Sequence, residues 1–209
     1  GLEDKFVVFW NSRNARRKQS GTLIWWFKEF LDQIGSENAV LVMHTDTKDQ
    51  HGQDLDAIVQ ELGLTKGQVR FSRNKISPQD LNLFYNMADI TACISDAEGF
   101  GLSTLESMSA GTPILVNMTG GLQDQVTDGE NWFGVGLTPS SKAIIGSQQV
   151  PYIYEDRLNK NDFLEGITKL YEMGNEERNK LGAAARAWSQ DMFGFEKFTN
   201  SWDELFTKI

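Results

Sequence analysis

The amino-acid sequence predicts an α/β fold, a Rossmann-like parallel sheet with helices on both faces, followed by C-terminal helices. Short apolar runs alternate with longer segments whose apolar side chains recur at helical spacing. The connections between these segments are short, which favours parallel strands joined by helical crossovers. The unusual residues cluster in loops that follow strands. Because parallel sheets bind ligands at the carboxyl ends of their strands, we expect a binding site there.

The segment up to residue 121 supplies the alternating elements. Strands are predicted at residues 6–10, 39–44, 69–71, 90–94 and 114–116. Helices are predicted at residues 21–34, 54–62 and 102–110, with one more that begins at Ser77-Pro78 and carries an apolar stripe to Ala88. Glycines follow the first two helices, and Ser77 is a typical N-cap ahead of proline.

The alternation is weaker after residue 121. A further short strand is predicted at residues 132–137, and a long polar excursion at residues 138–160 with a hairpin at residues 150–154. Three helices close the chain, at about residues 161–173, 175–191 and 195–208.

The last helix has an apolar face, formed by Phe195, Phe198, Trp202, Leu205 and Phe206. A face this aromatic must pack on something, so we expect residues 190–209 to contact a partner domain. Residues 1–209 otherwise form a single domain. The first strand begins as early as Phe6, and we therefore expect a piece of a longer protein.

Charge and cysteine content exclude several classes of protein. The chain has 20 Lys and Arg against 29 Asp and Glu, a net charge of −9, which argues against a nucleic-acid partner. Cys93 is the single cysteine, so no intrachain disulfide forms, and a reducing, cytoplasmic location is expected. No apolar run approaches the roughly 20 residues that span a bilayer.

The stretch EGFGLSTLE, residues 98–106, carries the strongest functional signal. A strand that breaks at Gly99 and Gly101 and re-enters a helix exposes backbone N–H groups to an anion. Glu98 lies in the loop and Glu106 lies in the helix, a spacing that does not suit an acid/base pair. Carboxylates there can instead accept hydrogen bonds from vicinal hydroxyls, a sugar at Glu98 and a ribose at Glu106.

The loop after the first strand, NSRNARRKQS, is basic in an acidic chain. Arg13 and Lys18 could neutralise a diphosphate leaving group without a metal. Gly120 and Gly121, just past the fifth strand, could admit a sugar or phosphate close to the backbone. Neither histidine has a partner at metal-ligand spacing.

Four separated motifs give the chain a family resemblance. They are SRNARRK, EGFGLSTLESMSAGTPIL, TGGLQDQV and DGENWFG, in that order. With them the chain resembles the C-terminal, donor-binding domain of retaining GT-B glycosyltransferases of family 4, the glycosyltransferase group 1 family. The resemblance covers nearly the whole chain.

The resemblance implies a site for a nucleotide diphosphate sugar and no metal. Arg13 and Lys18 would hold the diphosphate and Glu106 the ribose. Glu98 would bind the sugar, together with the backbone of Phe100, Gly101 and Leu102. Ile76, after the third strand, would contact the base. Gly99, Ser103 and Gly121 complete the expected binding residues.

Some features depart from the family pattern. Ser12 and Gln19 stand where glycines are common, and residues 138–160 are longer than the usual connection. The family also needs an N-terminal acceptor domain, without which we expect little or no sugar transfer. That domain would also supply any contact with a membrane. The acceptor could be a carbohydrate, lipid or protein. Two alternatives stay open, a GT-B nucleotide-sugar epimerase and a non-catalytic binding module.

Overall fold

A computed structural model describes residues 1–208 and contains a central sheet of six parallel strands. The strands are β1 (Phe6–Asn11), β2 (Ala39–His44), β3 (Val69–Ser72), β4 (Ile90–Cys93), β5 (Ile114–Asn117) and β6 (Gly134–Leu137). Their order across the sheet is β3-β2-β1-β4-β5-β6. Chain order therefore reverses between β1 and β4, and a crevice opens at their carboxyl ends.

Helices cover both faces of this sheet. They are α1 (Ser20–Ile34), α2 (Leu55–Glu61), α3 (Pro78–Met87), α4 (Leu102–Ala110), α5 (Leu122–Val126), α6 (Lys160–Glu172), α7 (Gly174–Phe193) and α8 (Phe195–Thr207). Alternate residues of β1 serve the two faces. Val8 and Trp10 join the core formed with α1 and α6, whereas Val7 and Phe9 pack with Tyr85 of α3. A strand buried on both faces explains the continuous apolar run in the sequence.

The predicted fold class is confirmed, and the five early strands lie within one residue of their predicted ends. The strand expected at residues 132–137 is confirmed as β6, which begins at Gly134 and completes the sheet. Helix α5 was not predicted. It has only five residues, too few for helical periodicity to show in the sequence.

The hairpin expected at residues 150–154 is in the wrong place. Strand β7 (Ser141–Ile144) pairs antiparallel with β8 (Tyr154–Arg157), and residues 145–153 connect them. The error has a physical cause. The polar run Glu155–Arg157 forms a strand because its side chains find charged partners far away in the sequence, which local propensity does not reveal.

Helix α8 carries the predicted aromatic face, and that face is exposed. The rings of Phe198, Trp202 and Phe206 follow one another at centroid distances of 6.2 and 5.6 Å along the helix. Phe195 is 80% exposed. Packing of this face on a partner domain stays a prediction.

Close helix packing near the sheet gives a stability prediction. A Cβ at Gly182 of α7 would lie 1.9 Å from the backbone carbonyl of Gly111, whereas a Cβ at Gly166 of α6 would meet the methyl ends of Leu137 and Leu115. We expect Gly182→Ala to lower the free energy of unfolding by about 1–3 kcal/mol, because the Gly111 backbone cannot move aside by a change of rotamer as a side chain can.

Gly166→Ala is the matched control. Its neighbours can change rotamer, and alanine favours a helix interior by about 1 kcal/mol over glycine, so we expect a smaller loss. Urea unfolding of both variants measures the difference. Equal losses for the two substitutions would contradict the packing argument.

Candidate functional site

The crevice between β1 and β4 is walled by two loops. The loop after β1, residues 12–19 (the basic loop), contains a 3₁₀ turn over Arg16–Lys18. The loop after β4, residues 94–101 (the glycine loop), leads into α4. A cleft of about 430 Å³ lies between them, also lined by Asn11 and Ser12. Seven residues predicted from the sequence line this cleft: Lys18, Glu98, Phe100, Gly101, Leu102, Ser103 and Glu106. We call it the donor cleft, after the nucleotide-sugar donor that the sequence predicts for these residues.

A second hollow of about 360 Å³ adjoins the donor cleft and shares Asn11 and Ser12 with it. Arg13 lines this second hollow, together with side chains from the ends of β2 and β3 that include His44 and Lys75. Of the described residues that line the two hollows, none is Ile76, Gly99 or Gly121. These three predicted binding residues therefore lie near the cleft without forming its wall.

The start of helix α4 presents backbone N–H groups to the donor cleft. Gly101 is the N-cap, with φ of 91°, a conformation that glycine adopts without strain. No side chain caps this end of the helix. The first N–H groups of an α-helix have no intrahelical acceptor, and the helix dipole adds partial positive charge there. The donor cleft therefore favours an anion beside Leu102 and Ser103.

Gly120 and Gly121 bring the loop after β5 against the glycine loop. A Cβ at Gly120, where φ is 51°, would lie 1.7 Å from the Glu98 carbonyl oxygen. The Gly121 N–H donates to the Gly99 carbonyl at 3.0 Å. The glycine pair thus lets two stretches of protein backbone pack directly against each other. A ligand contact by Gly121 stays a prediction.

An ion pair joins the two walls of the donor cleft. The Lys18 ammonium donates to Glu98 Oε1, and the Arg17 guanidinium lies 3.4 Å from Glu98 Oε2. Burial alone would raise the pKa of Glu98, but the hydrogen bond and charge of Lys18, with Ser95 and Arg17, outweigh it and hold that pKa below 4.5. Glu98 is therefore an ionised acceptor at neutral pH, which suits a hydroxyl ligand better than a general acid.

Arg13 does not join this ion pair. Its guanidinium forms a fork with Asp49, Nε to Oδ2 at 2.6 Å and Nη2 to Oδ1 at 3.1 Å, and Nη2 also donates to His51 Nδ1. The Arg13 hydrogen bond is the main reason that the pKa of Asp49 lies well below its ordinary value. The two cations predicted to act on one diphosphate thus line different hollows, and only Lys18 reaches the donor cleft.

Glu106 is held by Tyr85, which lies in the apolar stripe predicted for helix α3. The buried Tyr85 hydroxyl donates to Glu106 Oε2 at 2.6 Å and accepts from Asn11 Nδ2 at 2.8 Å. Burial raises the pKa of Tyr85, so the phenol stays protonated and donates at any physiological pH. The sequence carries one sign of this contact, the polar Asn11 at the carboxyl end of the otherwise apolar strand β1.

The hairpin formed by β7 and β8 also reaches the basic loop, which the sequence did not suggest. Arg16 forms a forked ion pair with Glu155 of β8. Asp96, buried at the end of β4, accepts a hydrogen bond from Gln19. These two carboxylates support the wall of the donor cleft without lining it.

A larger hollow, of about 910 Å³, lies at the opposite, amino ends of the strands. Its buried Arg178 donates to Asp89 at 2.9 Å and to the carbonyls of Leu170 and Tyr171 at the end of α6. These contacts tie helices to the sheet. We therefore assign this hollow a structural role, since Nη1 and Nη2 of Arg178 already have protein partners, while Nε has none among the described residues.

Comparison with known proteins agrees with this geometry. The family model described as glycosyl transferases group 1 matches residues 2–188. The chain belongs to this family.

Curated relatives with related sequences are glycosyltransferases. The D-inositol 3-phosphate glycosyltransferase of Corynebacterium jeikeium is 32% identical over 141 residues, 66% of this chain and 33% of the relative. The protein of the same name from Corynebacterium urealyticum is 38% identical over 77 residues, 37% of this chain and 18% of the relative. The chain therefore spans a third or less of the curated relatives it matches.

Solved structures show the GT-B group 1 fold over the whole chain. Sucrose-phosphate synthase from Thermosynechococcus elongatus superposes with a TM-score of 0.75 at 23% identity, over 100% of this chain and 46% of that one. Anabaena HepE in complex with UDP and glucose superposes with a TM-score of 0.75 at 20% identity, over 100% of this chain and 50% of that one. At these identities the likeness establishes the fold alone.

Residues 1–208 contain neither a metal-ligand cluster nor a membrane-spanning helix. No group of three or more His, Cys, Asp or Glu side chains there could hold a metal ion. No helix in that range is long and apolar enough to cross a membrane.

The buried ion pair gives a pH-dependent prediction. At pH 7 we expect Glu98→Gln to lower the free energy of unfolding by about 1–3 kcal/mol, because Lys18 loses its carboxylate. Glu98 makes its full contribution to the free energy of unfolding at a pH above the ordinary glutamate pKa of 4.5. That contribution is lost as the pH falls through the pKa of Glu98 in the folded state, which is lower. As the pH is lowered from 7, the gap between variant and wild type in urea unfolding should therefore begin to shrink below about pH 5.

Glu130→Gln is the control for this experiment, because Glu130 is exposed in the turn before β6. It should leave the free energy of unfolding nearly unchanged at both ends of the range. A gap between Glu98→Gln and wild type that does not vary with pH would show that Glu98 is not held ionised by its neighbours.

Proposed function

We propose that this chain is the donor-binding half of a retaining glycosyltransferase. The complete enzyme would transfer a sugar from a nucleotide diphosphate sugar to an acceptor hydroxyl, with retention of configuration. The observation that carries the proposal is the composition of the donor cleft. One cation, Lys18, lies there with the uncapped start of α4 and two carboxylates, Glu98 and Glu106. Cation and helix start suit a diphosphate, and the carboxylates suit hydroxyl groups on either side of it.

The positions of these groups suggest how the donor binds. The diphosphate would lie beside the N–H groups of Leu102 and Ser103, within reach of the Lys18 ammonium. Glu106, held by Tyr85, would accept hydrogen bonds from the ribose, and the ionised Glu98 would accept them from the sugar. Lys18 would then be shared between Glu98 and a phosphate oxygen. A cation already desolvated by its carboxylate partner needs little further reorganisation to meet the anion.

Arg13 would have to leave Asp49 to reach the diphosphate. Its side chain is 59% exposed, so the guanidinium has room to turn away, although it would give up its forked ion pair with Asp49. A diphosphate at the donor cleft could therefore attract the guanidinium across Ser12. Arg13 and Lys18 together would stabilise the departing nucleotide diphosphate without a metal. The base would lie toward the second hollow, near Ile76.

Transfer itself would need a second half. The chain spans 46–50% of the sucrose-phosphate synthase and HepE chains on which it superposes. An acceptor domain would close over the carboxyl ends of the strands, and the apolar face of α8 would pack on it. The isolated chain should bind nucleotide and transfer little or no sugar. The cytoplasmic location expected from the sequence belongs to the same proposal.

The first test is nucleotide binding by the chain. UDP is the leading probe, because HepE was solved with UDP and glucose; GDP, ADP and dTDP complete the panel. A nucleotide at a hundred times its dissociation constant should add about 2.7 kcal/mol to the free energy of unfolding, read as a thermal shift. If none of the four gives a shift, the donor site is wrong.

Substitution of the cations separates their roles. We expect Lys18→Ala to weaken UDP binding about tenfold or more in calorimetry, because a charge-assisted contact is lost. Arg13→Ala should weaken it less, since Arg13 must first leave Asp49. Lys28→Ala is the control, because Lys28 pairs with Asp32 on the outer side of α1. Unchanged affinity in both Lys18→Ala and Arg13→Ala would favour a module that does not bind phosphate.

The ribose contact has its own ligand-based test. If Glu106 accepts from the ribose, wild type should prefer UDP over 2′-deoxy-UDP by about tenfold, the effect of one charge-assisted hydrogen bond. Glu106→Gln should reduce that preference to about twofold or less while keeping the fold. Glu165→Gln, on the exposed side of α6, should leave it unchanged. A preference that survives Glu106→Gln would place the ribose elsewhere.

A further inference from the structure

The hairpin of β7 and β8 enters the structure at the carboxyl edge of the sheet, next to the donor cleft. The N–H of Asp156 in β8 donates to the carbonyl of Asp96 at 2.7 Å. Asn117, the last residue of β5, donates from Nδ2 to the Asp156 carbonyl at 2.8 Å, and Thr119 Oγ1 donates to Asp156 Oδ2 at 2.8 Å. Strand β8 is therefore fixed to the ends of β4 and β5 rather than projecting into solvent.

Glu155 is buried on the side of β8 that faces the basic loop. Only 1% of this residue is exposed, although it lies in a polar excursion. Its carboxylate accepts a fork from Arg16, from Nη1 at 3.1 Å and from Nη2 at 2.5 Å, and a third hydrogen bond from Arg157 at 2.5 Å. Burial would raise the pKa of Glu155, but Arg16 and Arg157 outweigh it and lower that pKa. The buried group is thus a carboxylate with charged partners.

The same stretch of the basic loop is held from a second direction. The Asp96 N–H donates to the Arg17 carbonyl at 2.8 Å, and Asp96 Oδ2 accepts from Gln19 Nε2 at 2.5 Å. Gln19 has φ of 56°, a left-handed conformation that is unfavourable for a side chain other than glycine. Thr22 also donates to the Gln19 amide, so two contacts retain the residue in that conformation.

These anchors flank the cation of the donor cleft. Arg16 and Arg17 are held on one side of Lys18 and Gln19 on the other, which leaves the Lys18 side chain to reach Glu98 across the cleft. A basic loop ordered before the ligand arrives avoids the entropy cost of ordering it on binding.

We propose that Glu155 is a positioning residue for donor binding, acting through Arg16 to hold the basic loop so that Lys18 faces the diphosphate. The inference rests on the proposed function. It assigns a role to part of the polar excursion at residues 138–160, to which the sequence alone gave none. Because Glu155 does not line the donor cleft, it acts on the phosphate only through the loop.

The test compares Glu155→Gln and Glu155→Asp with wild type. The probes are UDP, GDP, ADP and dTDP, and the nucleoside of whichever binds tightest, measured by calorimetry and by ligand-observed NMR. We expect Glu155→Gln to weaken the nucleoside diphosphate about tenfold, the effect of one lost charge-assisted contact. Nucleoside affinity should fall much less, because the base and ribose would lie against the start of the basic loop, residues 12–14, rather than against the Arg16–Gln19 stretch that Glu155 and Asp96 hold. Glu155→Asp keeps the carboxylate and should recover part of the loss.

A second measurement reports on the loop without any ligand. Amide hydrogen exchange in Glu155→Gln should rise at residues 13–19 and stay unchanged in β1 and β2. Glu165→Gln serves as the control in both experiments. Equal weakening of nucleoside and diphosphate, or unchanged diphosphate affinity, would overturn the positioning role. If no nucleotide binds even the wild-type chain, the proposed function fails by itself, and unchanged exchange at residues 13–19 would still reject the role of Glu155.

Discussion

The ion pair between Lys18 and Glu98 joins two loops that are 80 residues apart in the sequence. Each loop follows a strand, and the two strands are neighbours because the chain order of the sheet reverses between them. The pair is nearly buried, with Glu98 only 8% exposed, so neither charge could remain there without the other. A donor cleft with a fixed cation and a fixed carboxylate follows from this one contact. In this acidic chain, the same contact keeps a cation near the start of α4, where we propose that an anion binds.

Backbone packing supports the pair. The glycine loop can hold Glu98 in place only because Gly120 and Gly121 let the loop after β5 lie directly against it. On the other wall, the basic loop is held by two carboxylates, Asp96 of the glycine loop and Glu155 of the hairpin. Both walls are therefore braced from outside the cleft by groups that do not touch its interior. This is the arrangement expected of a site that binds a flexible, highly charged ligand without first having to order itself.

Much of the fold could be predicted because its signals are local. The alternation of apolar runs and helical stripes predicted the parallel sheet, and the glycines and N-caps placed most helix ends. Seven of the predicted site residues line one cleft, since all lie in loops at the carboxyl edge of the sheet or in the first turns of α4, which follows one of those loops. The misplaced hairpin and the missed helix α5 have different reasons. One depends on charges brought from Arg16, 139 positions away, and the other is too short for a periodic pattern.

By itself, the sequence determined the fold class, the family and the loops that form the candidate site, because the alternation of strands with helices and the motif spacing are written in neighbouring residues. Only the tertiary structure decided which groups meet. It paired Arg13 with Asp49 rather than with the donor cleft, gave Glu106 a hydroxyl donor from the core residue Tyr85, and buried Glu155 of a polar excursion against the basic loop. Pairings of this kind depend on distance through space and on desolvation, and neither quantity can be read from the order of residues along the chain.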